Sequence, residues 1–164
     1  MSGTANAPGA RPVDVLVVED GNEYLTNLTT FVAEGFAYRQ AKSGLEAQRM
    51  LAERRPDLVY LDMRFDRTPE EELLGNLVEL SARFNGDTAR ARRFQQDNQG
   101  LFVLRALREA NYAGPVILSY DFGPEERRFK ALSARDPFLR YCPDYADAAS
   151  IRRAILEAVG AAAG

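Results

Sequence analysis

Three short apolar runs, each ending in a polar or acidic residue, constrain this chain more than anything else in it. Val13-Asp14-Val15-Leu16-Val17-Val18 ends at Glu19-Asp20, Leu58-Val59-Tyr60-Leu61 ends at Asp62, and Pro115-Val116-Ile117-Leu118 ends at Ser119. Continuous apolar runs of this length read as strands buried on both faces, as in a parallel sheet covered by helices. Phe36 to Ala41 and Phe138 to Cys142 are weaker strand candidates. Helical spacing fills the intervals. Leu25, Leu28 and Val32 mark one stripe, with Gly35 as its stop; Leu45, Met50 and Leu51 mark a second, closed by Pro56. Leu101, Leu104 and Leu107 mark another, Glu125 to Leu132 is shorter and more polar, and Ile151, Ile155 and Val159 mark the last. Five strand–helix pairs joined by right-handed crossovers predict an α/β fold with a doubly wound, five-stranded parallel sheet.

One stretch breaks this rhythm. Asp62 and Gly100 are separated by 37 residues, against about 2–6 for an ordinary connection in such units. Leu73, Leu77, Leu80 and Phe84 fall at helical spacing after Thr68-Pro69, a cap and first-turn signal. Asn85-Gly86-Asp87 reads as a turn, with Asp87 capping a second helical piece through Phe94. The expectation is therefore an ordered helical insertion over about 64–99, covering or flanking the carboxyl edge of the sheet. Around it we expect a flexible lead-in at 1–12, one domain at 13–159 and a frayed tail at 160–164.

Composition removes several classes of chemistry. The chain has no histidine, so it has no Ser–His–Asp triad, imidazole base or His-ligated zinc. Its one cysteine, Cys142, excludes an internal disulfide framework and fits a reducing compartment. A net charge of −3 does not suggest a nucleic-acid binder. No apolar run reaches the roughly 20 residues of a membrane span, and the first dozen residues lack the apolar core of a secretion signal. A cytoplasmic location is the expectation.

In open α/β sheets, ligands bind at the carboxyl ends of the strands. The placement of Glu19, Asp20 and Asp62 at such ends predicts an acidic crevice, with Ser119 beside it. Clustered carboxylates repel and raise one another's affinity for protons. A hard cation such as Mg²⁺ relieves that repulsion, while solvated strand ends explain the same residues without one.

The ordered set of motifs resembles response-regulator receiver domains. Val15-Leu16-Val17-Val18-Glu19-Asp20 is similar to their opening strand and acidic pair. Pro56-Asp57-Leu58-Val59-Tyr60-Leu61-Asp62-Met63 is similar to the strand that ends in the phosphoacceptor. Gly100-Leu101 through Arg108 resembles the start of their third helix, and Gly114-Pro115-Val116-Ile117-Leu118-Ser119 their fourth strand with its terminal hydroxyl. The resemblance implies a flavodoxin-like receiver fold. It makes Asp62 the phosphoacceptor and Ser119 the switch hydroxyl. Glu19, Asp20, Asp62 and the backbone carbonyl of Arg64 would hold Mg²⁺. It also implies a two-component partner, either a histidine kinase or a phosphotransfer protein, an effector protein, and no enzymatic activity beyond self-catalysed phosphorylation and dephosphorylation.

The chain departs from the family at the fifth strand. Cys142-Pro143 stands where the resemblance expects Lys-Pro, so one ammonium that would contact the phosphoryl group is missing. Leu139 stands where a switch aromatic is common. Two readings follow: a receiver phosphorylated on Asp62, and a degenerate receiver serving as a phosphorylation-independent interaction module. Cys142 itself reads as a small buried residue, since no basic neighbour is expected to activate its thiol. Arg90, Arg92 and Arg93 read as a solvated helix face or a partner patch.

Overall fold

A computed structural model describes residues 10–163; most of the expected lead-in, and Gly164, lie outside the described residues. Five strands run parallel in the order β2-β1-β3-β4-β5: β1 (Val13–Val18), β2 (Phe36–Ala41), β3 (Leu58–Asp62), β4 (Val116–Ser119) and β5 (Leu139–Cys142). The expected doubly wound sheet is present. Its two faces bury alternate residues of the same strands, because successive side chains on a strand point to opposite sides. Val15 and Val17 pack with Leu28 and Val32 of α1 (Glu23–Phe31) and with Ile155 and Ala158 of α7 (Ala148–Ala163). Leu16 and Val18 pack with Leu51 of α2 (Gly44–Glu53) and with Val103, Leu104 and Leu107 of α5 (Gln99–Glu109). The short polar helix α6 (Glu126–Arg135) lies on this second face. The final helix runs to Ala163 through an Ala-rich end, and Ala is the strongest helix former.

The insertion folds as a helical hairpin, α3 (Leu77–Arg83) and α4 (Thr88–Asp97). Its neck is closed by two backbone hydrogen bonds, Phe65 N–H to Gln96 O (2.9 Å) and Gly100 N–H to Met63 O (2.9 Å). Gly100 is required at that neck. A Cβ there would lie 2.5 Å from the Asp62 carbonyl oxygen and 2.9 Å from Met63 Cα. At the hairpin tip, Asn85 and Gly86 take positive φ (54° and 83°), and the Asp87 side chain accepts from Arg90 N–H as the expected cap.

The first insertion helix starts later than Thr68-Pro69 suggests. Asn76 caps it, accepting from Val78 and Glu79 N–H at 3.0 and 3.2 Å. Pro69 instead precedes a single 3₁₀ turn, Glu70–Glu72, and Leu73 enters the core from a loop. What fixes this loop is a pair of buried glutamines with no apolar signature. Gln95 donates to Leu74 O and Gly75 O at 3.0 and 3.2 Å. Gln99 donates to Leu74 O at 3.0 Å and accepts from Leu74 N–H at 2.8 Å. Leu73, Leu80 and Ala91 are thereby buried, the two leucines contributing roughly 2 kcal/mol each. The loop before α3 lies against α2 and α5, Leu74 close to Gly44 and Gly75 close to Phe102, and Gln48, Phe102 and Arg105 line a groove beside α3.

Candidate functional site

The carboxyl ends of β3 and β4 open into a crevice of about 410 Å³ lined by Asp62, Met63, Arg64, Ser119, Tyr120 and Asp121 on one side. Tyr24, Pro124, Glu125 and Asp144 complete it. Asp62 and Ser119 are paired in register across the two strands, so the two residues singled out by sequence do meet. Asp62 Oδ1 accepts from Met63 N–H at 2.8 Å. Burial pushes its carboxyl up to about 7, and the charges of Asp20 and Glu19 add to the rise; the Met63 and Arg64 amides oppose it. Ser119 Oγ is buried, and among the described residues nothing meets hydrogen-bond geometry with it. The phenols of Tyr24 and Tyr60 lie close enough to feel that hydroxyl. The Tyr24 phenol is pushed up to about 12, first by burial and then by the Asp62 charge.

The acidic pair is placed at the same edge but engaged elsewhere. Glu19 is 1% exposed, and both its oxygens serve the start of α1: Oε1 accepts from Tyr24 N–H (3.1 Å) and Oε2 from Leu25 N–H (2.8 Å). Gln40 Nε2 adds a third donor at 3.3 Å. This is an anion seated on a helix N-terminus, supplied from the preceding strand. Asp20 Oδ2 accepts from Arg67 N–H (2.6 Å) and Thr68 N–H (3.1 Å) at the start of the insertion. Among the described residues, no group of three His, Cys, Asp or Glu side chains is arranged to hold a metal ion. The resemblance implies a shared Mg²⁺ site for Glu19, Asp20, Asp62 and the Arg64 carbonyl; here both Glu19 oxygens and Asp20 Oδ2 already hold protein donors.

Cys142 pairs in register with Ser119, yet its side chain is buried in the core cluster formed with α1 and α7 and does not line the crevice. Burial raises its thiol, with Tyr60 hydrogen-bonded to it opposing the rise. The position is thus a packing position. Arg64 is exposed on the crevice rim and supplies the one cationic side chain among the lining residues. Beyond Arg64, no residue of the insertion lines the crevice. The hairpin flanks this edge and does not cover it.

Sequence reasoning missed Tyr24, Tyr120 and Glu125. Tyr120 hydrogen-bonds Glu125, and Arg128 holds the other Glu125 oxygen at 3.0 Å while also reaching Asn98 at the α4–α5 junction. Phe122 lies under this loop, fully buried, between the rings of Tyr120, Phe129 and Tyr141 (centroids 4.7–5.3 Å). Leu139 is a core residue on the same face. Two residues on, Tyr141 packs against Phe122 and Phe129. Among Arg90, Arg92 and Arg93, Arg92 pairs with Glu70 at 3.5 Å and Gln95 at 2.8 Å. Arg90 stacks over Phe84, and Arg93 remains exposed.

No family sequence model and no curated protein sequence matches the chain. Solved structures do. The receiver domain of NtrX from Brucella abortus superposes with a TM-score of 0.62 at 19% identity, covering 90% of this chain and 98% of that one. The receiver domain of a Francisella response regulator gives 0.60 at 16% identity, covering 90% and 97%. The signal receiver domain of a putative LuxO repressor protein from Vibrio parahaemolyticus gives 0.61 at 15%, covering 94% of each. Among the described residues no helix is long and apolar enough to cross a membrane. With its strand order, its crevice at the carboxyl ends of β3 and β4 and these superpositions, the chain has the fold of a response-regulator receiver domain.

Proposed function

We propose that this chain is a receiver-type signalling domain that works as a protein-interaction module without an aspartyl-phosphate switch. The observation that carries this reading is the commitment of the acidic pair. Glu19 caps α1 and Asp20 holds the insertion. Phosphoryl transfer to a carboxylate depends on cations that neutralise the oxygens of the moving group. Here the lysine position is a buried cysteine, and two of the three expected carboxylate ligands are engaged by backbone amides. The insertion, which also presents Val78 and Arg93 to solvent, is the element by which this chain departs most from an ordinary receiver, and it is the candidate docking element for an effector.

A second reading, phosphorylation of Asp62 by a histidine kinase or phosphotransfer protein, is favoured by a different observation. Asp62 lines an open crevice beside the unpartnered Ser119 hydroxyl and the Arg64 side chain. Intact mass after incubation with acetyl phosphate and Mg²⁺ separates the two. The interaction-module reading expects wild type and Asp62→Ala each to keep its own unmodified mass. A phosphoryl adduct on wild type that Asp62→Ala lacks would establish the second reading in its place.

A further inference from the structure

Asp20 is where the acidic edge and the insertion meet. Its Oδ2 takes the N–H groups of two consecutive residues, Arg67 at 2.6 Å and Thr68 at 3.1 Å, with the Thr68 hydroxyl at 3.4 Å from the same oxygen. Adjacent backbone N–H groups converging on an anion form a small nest, and hydrogen bonds to an ionised acceptor are the strong kind. The donors are held in place from both sides. Thr68 is 7% exposed, the neck bonds at Phe65 and Gly100 fix the chain before the turn, and the Arg67 guanidinium reaches Glu23 at 2.8 Å.

We infer that Asp20 is the anchor of the insertion, and that the Arg67-Thr68 turn is a built-in occupant of the acidic edge. The two N–H dipoles direct their positive ends at one of the two oxygens a cation could take. A divalent ion that takes Oδ2 must break both bonds, and one that takes Oδ1 meets a carboxylate whose charge the two N–H groups already draw on. Glu19 cannot stand in for Asp20, because both its oxygens are already engaged. The insertion therefore does two things at once: it adds a hairpin to the domain, and it places two backbone donors on the carboxylate that would respond to a cation. The assignment concerns Asp20 and the insertion alone, and it stands whether or not Asp62 accepts a phosphoryl group.

Amide-resolved NMR on the full chain tests it in two arms. Hydrogen exchange is compared between wild type and Asp20→Asn, and wild type is titrated with millimolar magnesium chloride. The expected result is exchange at Arg67 and Thr68 at least about tenfold faster in the variant, with the strand amides unchanged. The second expected result is no saturable magnesium shift at residues 19–21 or 62–64 of wild type. Equal exchange in the two proteins would overturn the anchor. A saturable shift in wild type would overturn the claim that the turn occupies the edge, and this arm needs no variant to fold. Phosphoryl incorporation at Asp62 with the anchor intact would defeat the proposed function and leave this assignment standing.

Discussion

The two edges of the sheet keep their carboxylates in opposite circumstances. Toward the amino edge, Asp14 is buried between Arg39, which reaches both its oxygens at 3.1 Å, and Arg54 at 3.2 Å. Asp57 meets Arg11 through two bonds of 2.9 and 3.0 Å and also accepts from Asp14 N–H. Burial alone would push Asp57 up, but Arg11 and the Asp14 amide outweigh it and hold the carboxyl below its ordinary range. At the carboxyl edge, no ion pair reaches Glu19, Asp20 or Asp62 among the described residues. Two of these are satisfied by backbone amides, and the third is left half-buried with its proton affinity raised. Charge at the amino edge is neutralised and structural. Charge at the carboxyl edge is unneutralised, and in this fold that is where a site lies.

The contrast can be broken most severely at Asp14. Asp14→Ala leaves Arg39, with a side chain only 19% exposed, beside no carboxylate, and removing one partner of a buried pair should cost about 3 kcal/mol in urea unfolding. At the other edge the sign reverses. The Asp62 carboxyl binds its proton more tightly folded than unfolded, so its contribution to stability is full below about pH 4 and is lost as pH rises toward 7. Asp62→Asn should abolish that decline and raise stability above pH 7 by on the order of 2 kcal/mol. A pH series of unfolding midpoints in which wild type and variant run parallel would contradict this. Glu19→Gln keeps the side-chain shape but removes the charge from the start of α1, and should cost about 1 kcal/mol. The smallest effect belongs to Arg67→Ala, which deletes an exposed pair with Glu23 but keeps the backbone N–H on Asp20. Its unfolding midpoint should match wild type within error, whereas a large drop would move the anchor from the backbone to the side chain.

Where burial decided the structure, the sequence was readable. The three apolar runs became β1, β3 and β4, and even the polar candidate Phe36 to Ala41 proved to be β2. The meeting of Asp62 and Ser119 followed from topology alone, since parallel strands bring their carboxyl ends to one edge. The fate of Glu19 and Asp20 did not follow. Whether a strand-end carboxylate faces a crevice or a backbone amide depends on where loop N–H groups fall, and apolar periodicity carries no trace of them. The same holds for Gln95 and Gln99, whose amides fix Leu74 through contacts 20 to 25 residues apart. Thr68 gave a helix-cap signal, but its donors were drawn to the charged oxygen of Asp20 and the capping passed to Asn76.

Amide spectra recorded with magnesium and beryllofluoride, a mimic of an acyl phosphate, test the proposed function directly, which is that Asp62 at the carboxyl edge drives no switch. The loop from Tyr120 to Glu125 sits on a packed aromatic cluster and is tied through Arg128 to Asn98. The prediction is that signals of Asp62, Ser119, Tyr120, Phe122 and Tyr141 stay where they are at saturating mimic. A saturable change that begins at Asp62 and Ser119 and spreads through Tyr120 to Tyr141, absent in Asp62→Asn, would contradict it.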